Sequence, residues 1–280
     1  MPQIDHTNLD HARGMVNYLA DDGERPAYYL YDTAPGQRPA PPANDRREVS
    51  IFNARRHKSD FTLDENGFCF VDEALPALDF FDQASVVDSY YPQVTALVSR
   101  VTGAGRVHAF DHNVRDKELS EQNGGVREPV RFVHNDYTEV SGPQRVRDLM
   151  GDETEALLQK RYMFINVWRP LRGPVRDYPF AICDATSLTQ TDFVATDLKY
   201  ADRTGEIYSV KHNPAHRWYY VEGMQDNEIM LLKCFDSNTA GVARYTAHSA
   251  FRDSRAPHNS EPRRSIEVRT IAFFDHDSDK

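Results

Sequence analysis

The order of apolar and polar positions along the chain predicts helices early and strands late. Short runs of β-branched and aromatic residues, bounded by turn residues, are typical of strands. Such runs cover 46–52, 68–71, 106–112, 162–168, 180–184, 206–210, 217–221, 229–235 and 265–274. Three segments predict helices instead, at 11–20, 80–102 and 141–160. Pro92 fits poorly inside the second of these, so we predict a break or a new first turn there.

The succession of strands indicates the fold class. Strands that follow one another without alternating helices favour an antiparallel sandwich or barrel of the jelly-roll kind over a doubly wound sheet. We therefore predict a mainly β fold with flanking helices, of the α+β class. Residues 1–280 are predicted to form one domain, with a helix-rich N-terminal extension, 1–104, packed on a β core, 105–280. The proline-rich 35–42 and the polar 113–128 are predicted to be loops.

The composition of the chain argues against several classes of protein. The 280 residues are 40% hydrophobic and 27% charged, which allows a buried core. A formal net charge of -10 argues against binding to nucleic-acid phosphates or to an anionic membrane, and no apolar run approaches the length of a membrane span. The three cysteines lie far apart without C-x-x-C spacing, which predicts reduced thiols in a cytoplasmic protein.

The pair His134 and Asp136 is the first candidate for chemistry. On a strand, residues i and i+2 point to the same face, so an imidazole and a carboxylate would converge there. One later histidine would complete the 2-His-1-carboxylate triad of a non-haem Fe(II) site. The alternative is a core histidine bonded to the main chain beside a turn aspartate.

The candidates for the third ligand are His212, His216, His248 and His258. His212 and His258 stand beside Asn213-Pro214 and Pro257, which indicate a turn and a loop, so His216 is the main competitor of His248. The strand that follows His248 favours it, because Arg263 and Ser265 share a face at the start of that strand. A guanidinium with a neighbouring hydroxyl suits a carboxylate. The far carboxylate of a dicarboxylic 2-oxo acid, used as co-reductant, would need such a group.

The order His134-x-Asp136, then His248, then Arg263-x-Ser265 resembles the Fe(II)/2-oxoglutarate-dependent dioxygenases of the double-stranded β-helix fold. Further segments carry the resemblance: 107–115, 166–171, 233–237 and 263–269. Together they resemble the mostly fungal hydroxylase/desaturase group, which includes a gibberellin desaturase and is related by name to a cephamycin methoxylation protein.

This resemblance, which runs from about Phe68 to Phe274, implies a double-stranded β-helix (jelly-roll, cupin-like) core. It implies Fe(II), 2-oxoglutarate and dioxygen as cofactors and co-substrates. The implied reaction is hydroxylation, desaturation or oxidative cyclisation at an unactivated C–H of a small-molecule secondary metabolite. The implied iron ligands are His134, Asp136 and His248. Arg263 is implied to bind the C5 carboxylate of 2-oxoglutarate, with Ser265 assisting.

Other positions leave more than one interpretation open. Arg269 is the rival for the carboxylate, because it lies on the same strand face. Asn166 and Arg169 are implied to face the site from the strand at 162–168. Asp111 and Arg115 form either a structural ion pair or part of the site.

Rival functions also remain at this stage. One is a 2-oxoglutarate-independent non-haem iron oxidase of the same fold. Another is a metal-free β-sandwich binding protein with structural histidines, and a cupin-like isomerase is a third. The expected partner is a small-molecule substrate, with no nucleic acid and no membrane. A homodimer is a possible assembly.

Overall fold

The computed structural model describes residues 9–20, 22–31, 39–116, 132–257 and 259–275. The strands are β1 (His11–Leu19), β2 (Ala27–Tyr29), β3 (Asn44–Asn53), β4 (Phe68–Asp72), β5 (Arg106–Asp116), β6 (His134–Asn135), β7 (Tyr162–Pro170), β8 (Phe180–Cys183), β9 (Phe193–Lys199), β10 (Thr204–Val210), β11 (Trp218–Tyr220), β12 (Glu228–Asp236), β13 (His248–Ala250), β14 (Arg252–Asp253) and β15 (Arg264–Phe273). The helices are α1 (Gln83–Ser85), a π-helical turn (Val86–Tyr90), α2 (Tyr91–Thr102), α3 (Ser141–Met150) and α4 (Thr154–Leu158). Short 3-10 turns lie at Ala54–Arg56, Lys58–Asp60, Gly151–Glu153, Ala185–Ser187 and Gln190–Asp192.

Two sheets face each other across an apolar core. Over the described part of the chain, ten strands form a large sheet in the order β14-β1-β3-β11-β8-β13-β6-β10-β9-β2. Five form a small sheet in the order β4-β12-β7-β15-β5. Ile182 and Tyr219 of the large sheet share one cluster with Phe164 and Ile271 of the small sheet. The prediction of a mainly β fold is therefore confirmed.

The inner face of the small sheet carries three rows of paired residues, most of them polar. The first row is Asp111, Arg269 and Asn166, the second is Asn113, Glu267 and Trp168, and the third is Arg115, Ser265 and Pro170. Because side chains alternate faces along a strand, the residues between these rows point the other way. Ile266 and Val268, for example, belong to the cluster under α2.

Helix α2 covers the outer face of the small sheet. Its buried Val94 and Leu97 belong to the same cluster as Ile165 of β7. Pro92 lies in the first turn of α2, where a missing N–H is tolerated. Gly103 ends the helix in the left-handed conformation with φ 74°. The predicted new first turn at Pro92 is confirmed.

The predicted helix at 11–20 is wrong. His11–Leu19 is strand β1 and pairs with β3 along its whole length. Two of its buried positions hold the small residues Ala12 and Gly14, so the alternation carries little apolar signal. A Cβ on Gly14 would approach the Phe251 ring to 2.4 Å, so close packing requires glycine there.

The helix-rich character expected for 1–104 is also wrong, because β1 to β4 lie there and pair within the two sheets. The single-domain organisation stays a prediction. The predicted helix at 141–160 is two helices, α3 and α4. Strand β5 extends to Asp116, so the first part of the predicted 113–128 loop is strand and the rest lies outside the described residues. Of the predicted loop 35–42, residues 35–38 also lie outside them, and residues 39–42 are in neither a helix nor a strand.

In the described part of the chain, no helix is both long enough and apolar enough to cross a membrane.

Candidate metal centre

Two neighbouring strands of the large sheet bring two histidines together. His134 opens β6 and pairs directly with His248 on β13. The two ring centroids lie 4.2 Å apart. Asp136 follows the short strand β6 directly. One ligand atom from each of these three residues lies within 4.8 Å of the others.

Both imidazole rings are held by their neighbours. The Nδ1–H of His134 donates to the carbonyl of Phe132 at 2.9 Å. The other ring nitrogen, Nε2, lies 3.6 Å from Oδ1 of Asp136. The His248 ring stacks on Phe180 at an interplanar angle of 10°. Nδ1 of His248 is buried and has no hydrogen-bond partner among the described residues, so no such group competes with a metal ion for it.

Burial sets the protonation of the three residues. It lowers the pKa of His134 to about 4, and the nearby His248 adds to this effect. Burial likewise lowers the pKa of His248 to about 4, against the opposing effect of Asp136. Burial raises the pKa of Asp136, but Arg269 and the two histidines outweigh it and hold that pKa well below its usual range. At neutral pH the site therefore offers two neutral imidazoles and one carboxylate, a donor set that fits non-haem Fe(II).

The second oxygen of Asp136, Oδ2, accepts hydrogen bonds from two side chains of the small sheet. Asn166 Nδ2 donates to Oδ2 at 2.7 Å, and Arg269 Nε donates to the same atom at 3.2 Å. Arg269 also contacts Asp111 Oδ2 through Nη1 at 2.9 Å and Glu267 Oε1 through Nη2 at 3.3 Å. The Arg269 guanidinium is thus surrounded by carboxylates.

Arg263 has different surroundings. Its side chain is buried, and its guanidinium carbon lies 5.4 Å from the ring centroid of Trp168. Nη1 donates to the carbonyl of Tyr178 at 2.6 Å. Arg263 Nε and Ser265 Oγ are buried without a hydrogen-bond partner in the described chain. Burial and the nearby Arg115 lower the pKa of Arg263.

One pocket joins the histidines to the arginines. Its empty volume is about 360 Å³. It is lined by Arg115, His134, Trp168, Phe180, His248, Ser249, Ala250, Arg263, Glu267 and Arg269. The structure therefore brings His134 and His248 into one pocket with Arg263 and Arg269, two of the candidate carboxylate-binding residues.

Two of the other candidate histidines lie in a separate polar network. His216 contacts Asp192 Oδ2 at 3.2 Å and the hydroxyl of Tyr18 at 3.1 Å. His212 packs edge-on against the same tyrosine ring at 5.1 Å. His258 lies outside the described residues.

The expectation that Arg169 faces the site is wrong. Its guanidinium donates to the main-chain carbonyls of Asp226, Glu73 and Ala74. Arg169 stands three positions from Asn166 on β7, and an odd separation places two residues on opposite faces of a strand. Arg169 therefore binds loops on the outer side of the small sheet.

Sequence reasoning gave no site role to Glu267 or Phe180. The strand alternation that linked Arg263, Ser265 and Arg269 also places Glu267 on the pocket face, so that signal was present. No local signal marks Phe180, because its stacking on His248 follows from the pairing of β8 with β13. Asp111 pairs with Arg269, and Arg115 lines the pocket.

Known proteins match almost the whole chain. Residues 16–273 match the family model described as YDMC: Oxidoreductase/YMDC permease-like domain. The chain is 33% identical over 253 residues to Fe(II)/2-oxoglutarate-dependent dioxygenase nvfI from Aspergillus novofumigatus, across 88% of this chain and 90% of the relative. It is 32% identical over 255 residues to hydroxylase/desaturase CTB9 from Cercospora beticola, across 82% of this chain and 78% of the relative.

A solved structure agrees with these relatives. The iron and alpha-ketoglutarate-dependent endoperoxidase NvfI superposes with a TM-score of 0.87 at 29% identity, covering 94% of this chain and 97% of that chain. The jelly-roll fold is therefore confirmed. The chain belongs to the Fe(II)/2-oxoglutarate-dependent dioxygenases, in the group that contains the fungal hydroxylase/desaturases.

Proposed function

We propose that the protein uses Fe(II), 2-oxoglutarate and dioxygen to oxidise an unactivated C–H bond of a small-molecule secondary metabolite. Hydroxylation, desaturation and oxidative cyclisation are the reaction classes that fit. The observation that carries the proposal is a metal-ligand set whose two histidines share a pocket with Arg263, while Arg263 Nε and Ser265 Oγ are buried with no hydrogen-bond partner in the described chain.

His134, Asp136 and His248 would hold the iron. Two imidazoles that stay neutral down to about pH 4 can bind a cation without first releasing protons at neutral pH. When bound, the Fe(II) ion supplies the activation of dioxygen, coupled to the oxidative decarboxylation of 2-oxoglutarate to succinate and CO2. The hydrogen bond to the Phe132 carbonyl and the stacking on Phe180 fix the two rings before the metal arrives.

Arg263 and Ser265 would hold the C5 carboxylate of 2-oxoglutarate. Arg263 is buried with Nε unpartnered in the described chain, and Asp177 and Glu267 offset the lowering of its pKa only in part, so it has electrostatic reason to bind a further carboxylate. Arg269 is the weaker candidate for this role, because Asp136, Asp111 and Glu267 already engage it. Arg263 and Arg269 would therefore have different roles, although the sequence leaves them as rivals.

The substrate would approach His134 from the side of Phe132. The Phe132 ring lies 4.8 Å from that of His134 and stacks on Tyr28 at the same centroid distance. These aromatic faces would suit an apolar metabolite. The acidic net charge of -10 supports a protein without nucleic-acid or anionic-membrane partners. The three widely spaced cysteines support work in the reducing cytoplasm. The homodimer stays a prediction that light scattering would test.

An anaerobic titration of the apoprotein with Fe(II) and 2-oxoglutarate tests the proposal. The expected result is the weak visible charge-transfer band of the 2-oxoglutarate chelate, saturating at one equivalent of iron. His134→Ala should abolish the band, and His216→Ala is the matched control, because the His216 side chain is also buried but belongs to the separate network.

The other outcomes identify the rivals. Iron binding without a band on addition of 2-oxoglutarate would indicate the 2-oxoglutarate-independent oxidase. Failure to bind iron, with a correctly folded protein by circular dichroism, would indicate the metal-free binding protein. Either result would overturn the proposal.

A further inference from the structure

We propose that Arg269 and Asn166 are positioning residues that restrict Asp136 to one metal-binding oxygen. The inference rests on the proposed function, because it takes Asp136 as an iron ligand. It concerns residues that touch the ligand and not the ion itself.

The two oxygens of Asp136 have different partners. Oδ2 accepts one hydrogen bond from Asn166 and one from Arg269. Oδ1 lies beside Nε2 of His134 at 3.6 Å. A carboxylate oxygen has two lone-pair sites, so two donors saturate Oδ2. Only Oδ1 keeps a lone pair on the side of the two histidines.

The small sheet sets this arrangement by its register. Arg269 pairs directly with Asn166 on β7 and with Asp111 on β5, so the three residues form one row. Asp111 holds Nη1 and Glu267 holds Nη2, which leaves Nε directed at Asp136. The guanidinium therefore cannot turn away from Asp136 without breaking contacts on two other sides. Asn166 is wholly buried, and its amide has no freedom to follow a moving carboxylate.

The consequence lies in the number of open metal positions. A carboxylate that binds through both oxygens occupies one more position than a carboxylate that binds through one. The 2-His-1-carboxylate triad depends on open positions for its co-substrates. By keeping Oδ2 occupied, Asn166 and Arg269 would preserve one of those positions.

Water-proton relaxation of the Mn(II)-loaded protein tests the inference without turnover. Mn(II) has similar octahedral preferences, and the relaxation enhancement reports the number of exchangeable waters on the bound ion. The variants are Asn166→Leu, which removes a donor at similar size, and Arg269→Lys, which keeps the charge but loses Nε. Arg264→Gln is the matched control, because Arg264 stands on the same strand with its side chain on the opposite face, next to Asp116.

The expected result is a loss of about one third of the enhancement per bound Mn(II) in Asn166→Leu and Arg269→Lys, and no loss in Arg264→Gln. Competition with a chromophoric chelator should also reveal changes in Mn(II) affinity of up to about 10- to 100-fold in the first two variants. An unchanged enhancement in both would overturn the inference.

His134→Ala separates this inference from the proposed function. If His134→Ala binds Mn(II) as tightly as the wild type, the triad itself is wrong and the proposed function fails. If His134→Ala loses Mn(II) while Asn166→Leu and Arg269→Lys keep the wild-type enhancement, only the positioning role fails. If Arg269→Lys does not fold, Asn166→Leu alone decides, since it removes no charge.

Discussion

Replacing Arg263 with glutamine should weaken 2-oxoglutarate binding without disturbing the metal ligands. The guanidinium lies over Trp168, and its Nη1 donates a hydrogen bond to the Tyr178 carbonyl. Its Nε and the hydroxyl of Ser265 have no hydrogen-bond partner in the described chain, so both are available to a carboxylate. Glutamine removes the positive charge and the forked geometry but leaves Ser265 in place.

The structure sets the size of the effect. A hydrogen bond to a charged group contributes about 1.5–3 kcal/mol. Loss of one such bond from Arg263 corresponds to an increase in the dissociation constant of roughly 10- to 150-fold. Ser265→Ala removes a neutral hydroxyl, whose hydrogen bond contributes about 0.5–1.5 kcal/mol, and should cost no more than roughly tenfold.

The assay is the anaerobic titration of the Fe(II) protein, read at the visible chelate band, with two ligands. 2-Oxoglutarate carries the distal carboxylate, whereas pyruvate offers the same 2-oxo acid without it. Arg263→Gln should weaken 2-oxoglutarate by the predicted factor and leave pyruvate binding unchanged. Arg264→Gln should affect neither ligand.

Two results would refute this reasoning. An equal loss for pyruvate and 2-oxoglutarate would mean that Arg263 acts on the metal site and not on the distal carboxylate. A selective loss of 2-oxoglutarate in Arg269→Gln, with none in Arg263→Gln, would transfer the role to Arg269.

Three further predictions concern stability. Arg169→Gln should lower the free energy of unfolding by about 2–4 kcal/mol in urea denaturation, because it leaves main-chain carbonyls at 73 and 226 without their donor. Arg263→Gln removes one hydrogen bond to a main-chain carbonyl together with a charge whose pKa burial lowers, so it should cost less than Arg169→Gln, and equal losses would contradict the distinction. Burial raises the pKa of Glu228, but hydrogen bonds from Arg55 and Lys58 outweigh it and lower that pKa to about 2. The ionised Glu228 therefore stabilises the fold by about 1.5–3 kcal/mol above pH 4.5, and this contribution is lost as the pH falls towards 2. Glu228→Gln should remove this part of the pH dependence of the free energy of unfolding. Parallel curves of unfolding free energy against pH for the two proteins would count against the prediction. Gly67→Ala should lower the melting temperature, because Gly67 has φ 80° and a Cβ would lie 3.0 Å from that of Thr246, whereas Gly23→Ala, at φ 83° in open space, should suffer only the backbone strain.

Elements with a strong local pattern could be predicted from the sequence. Strand β7 is a run of β-branched and aromatic residues, and α2 has an apolar stripe between Pro92 and Gly103. Strand β1 could not be predicted, because its burial depends on Phe251 and β3, which lie far away in sequence. Its small side chains at 12 and 14 become understandable only once those neighbours are in place.

The metal centre also combines features that a local sequence pattern predicts with features that depend on residues far away in sequence. The spacing of His134 and Asp136 is local and carried its own signal, although β6 ends at Asn135. The choice of His248 over His216 needed the strand pairing that sets His248 opposite His134. The orientation of Arg169 follows from the alternation of side chains along β7, which the sequence already shows, so Arg169 could have been placed on the outer face from the sequence.

The charges around the pocket distinguish Arg269 of β15 from Arg263, which directly precedes that strand. Asp111, Asp136 and Glu267 surround Arg269, which holds its pKa well above the usual value despite burial. Burial lowers the pKa of Arg263, and the nearby Arg115 adds to this effect, against the opposing effects of Asp177 and Glu267. An internal ion pair of the first kind can only position what it touches, because its charge is already balanced. A buried cation of the second kind, which its neighbours balance only in part, lowers its own electrostatic cost by taking up an anion, which is the property that we propose for the co-substrate site.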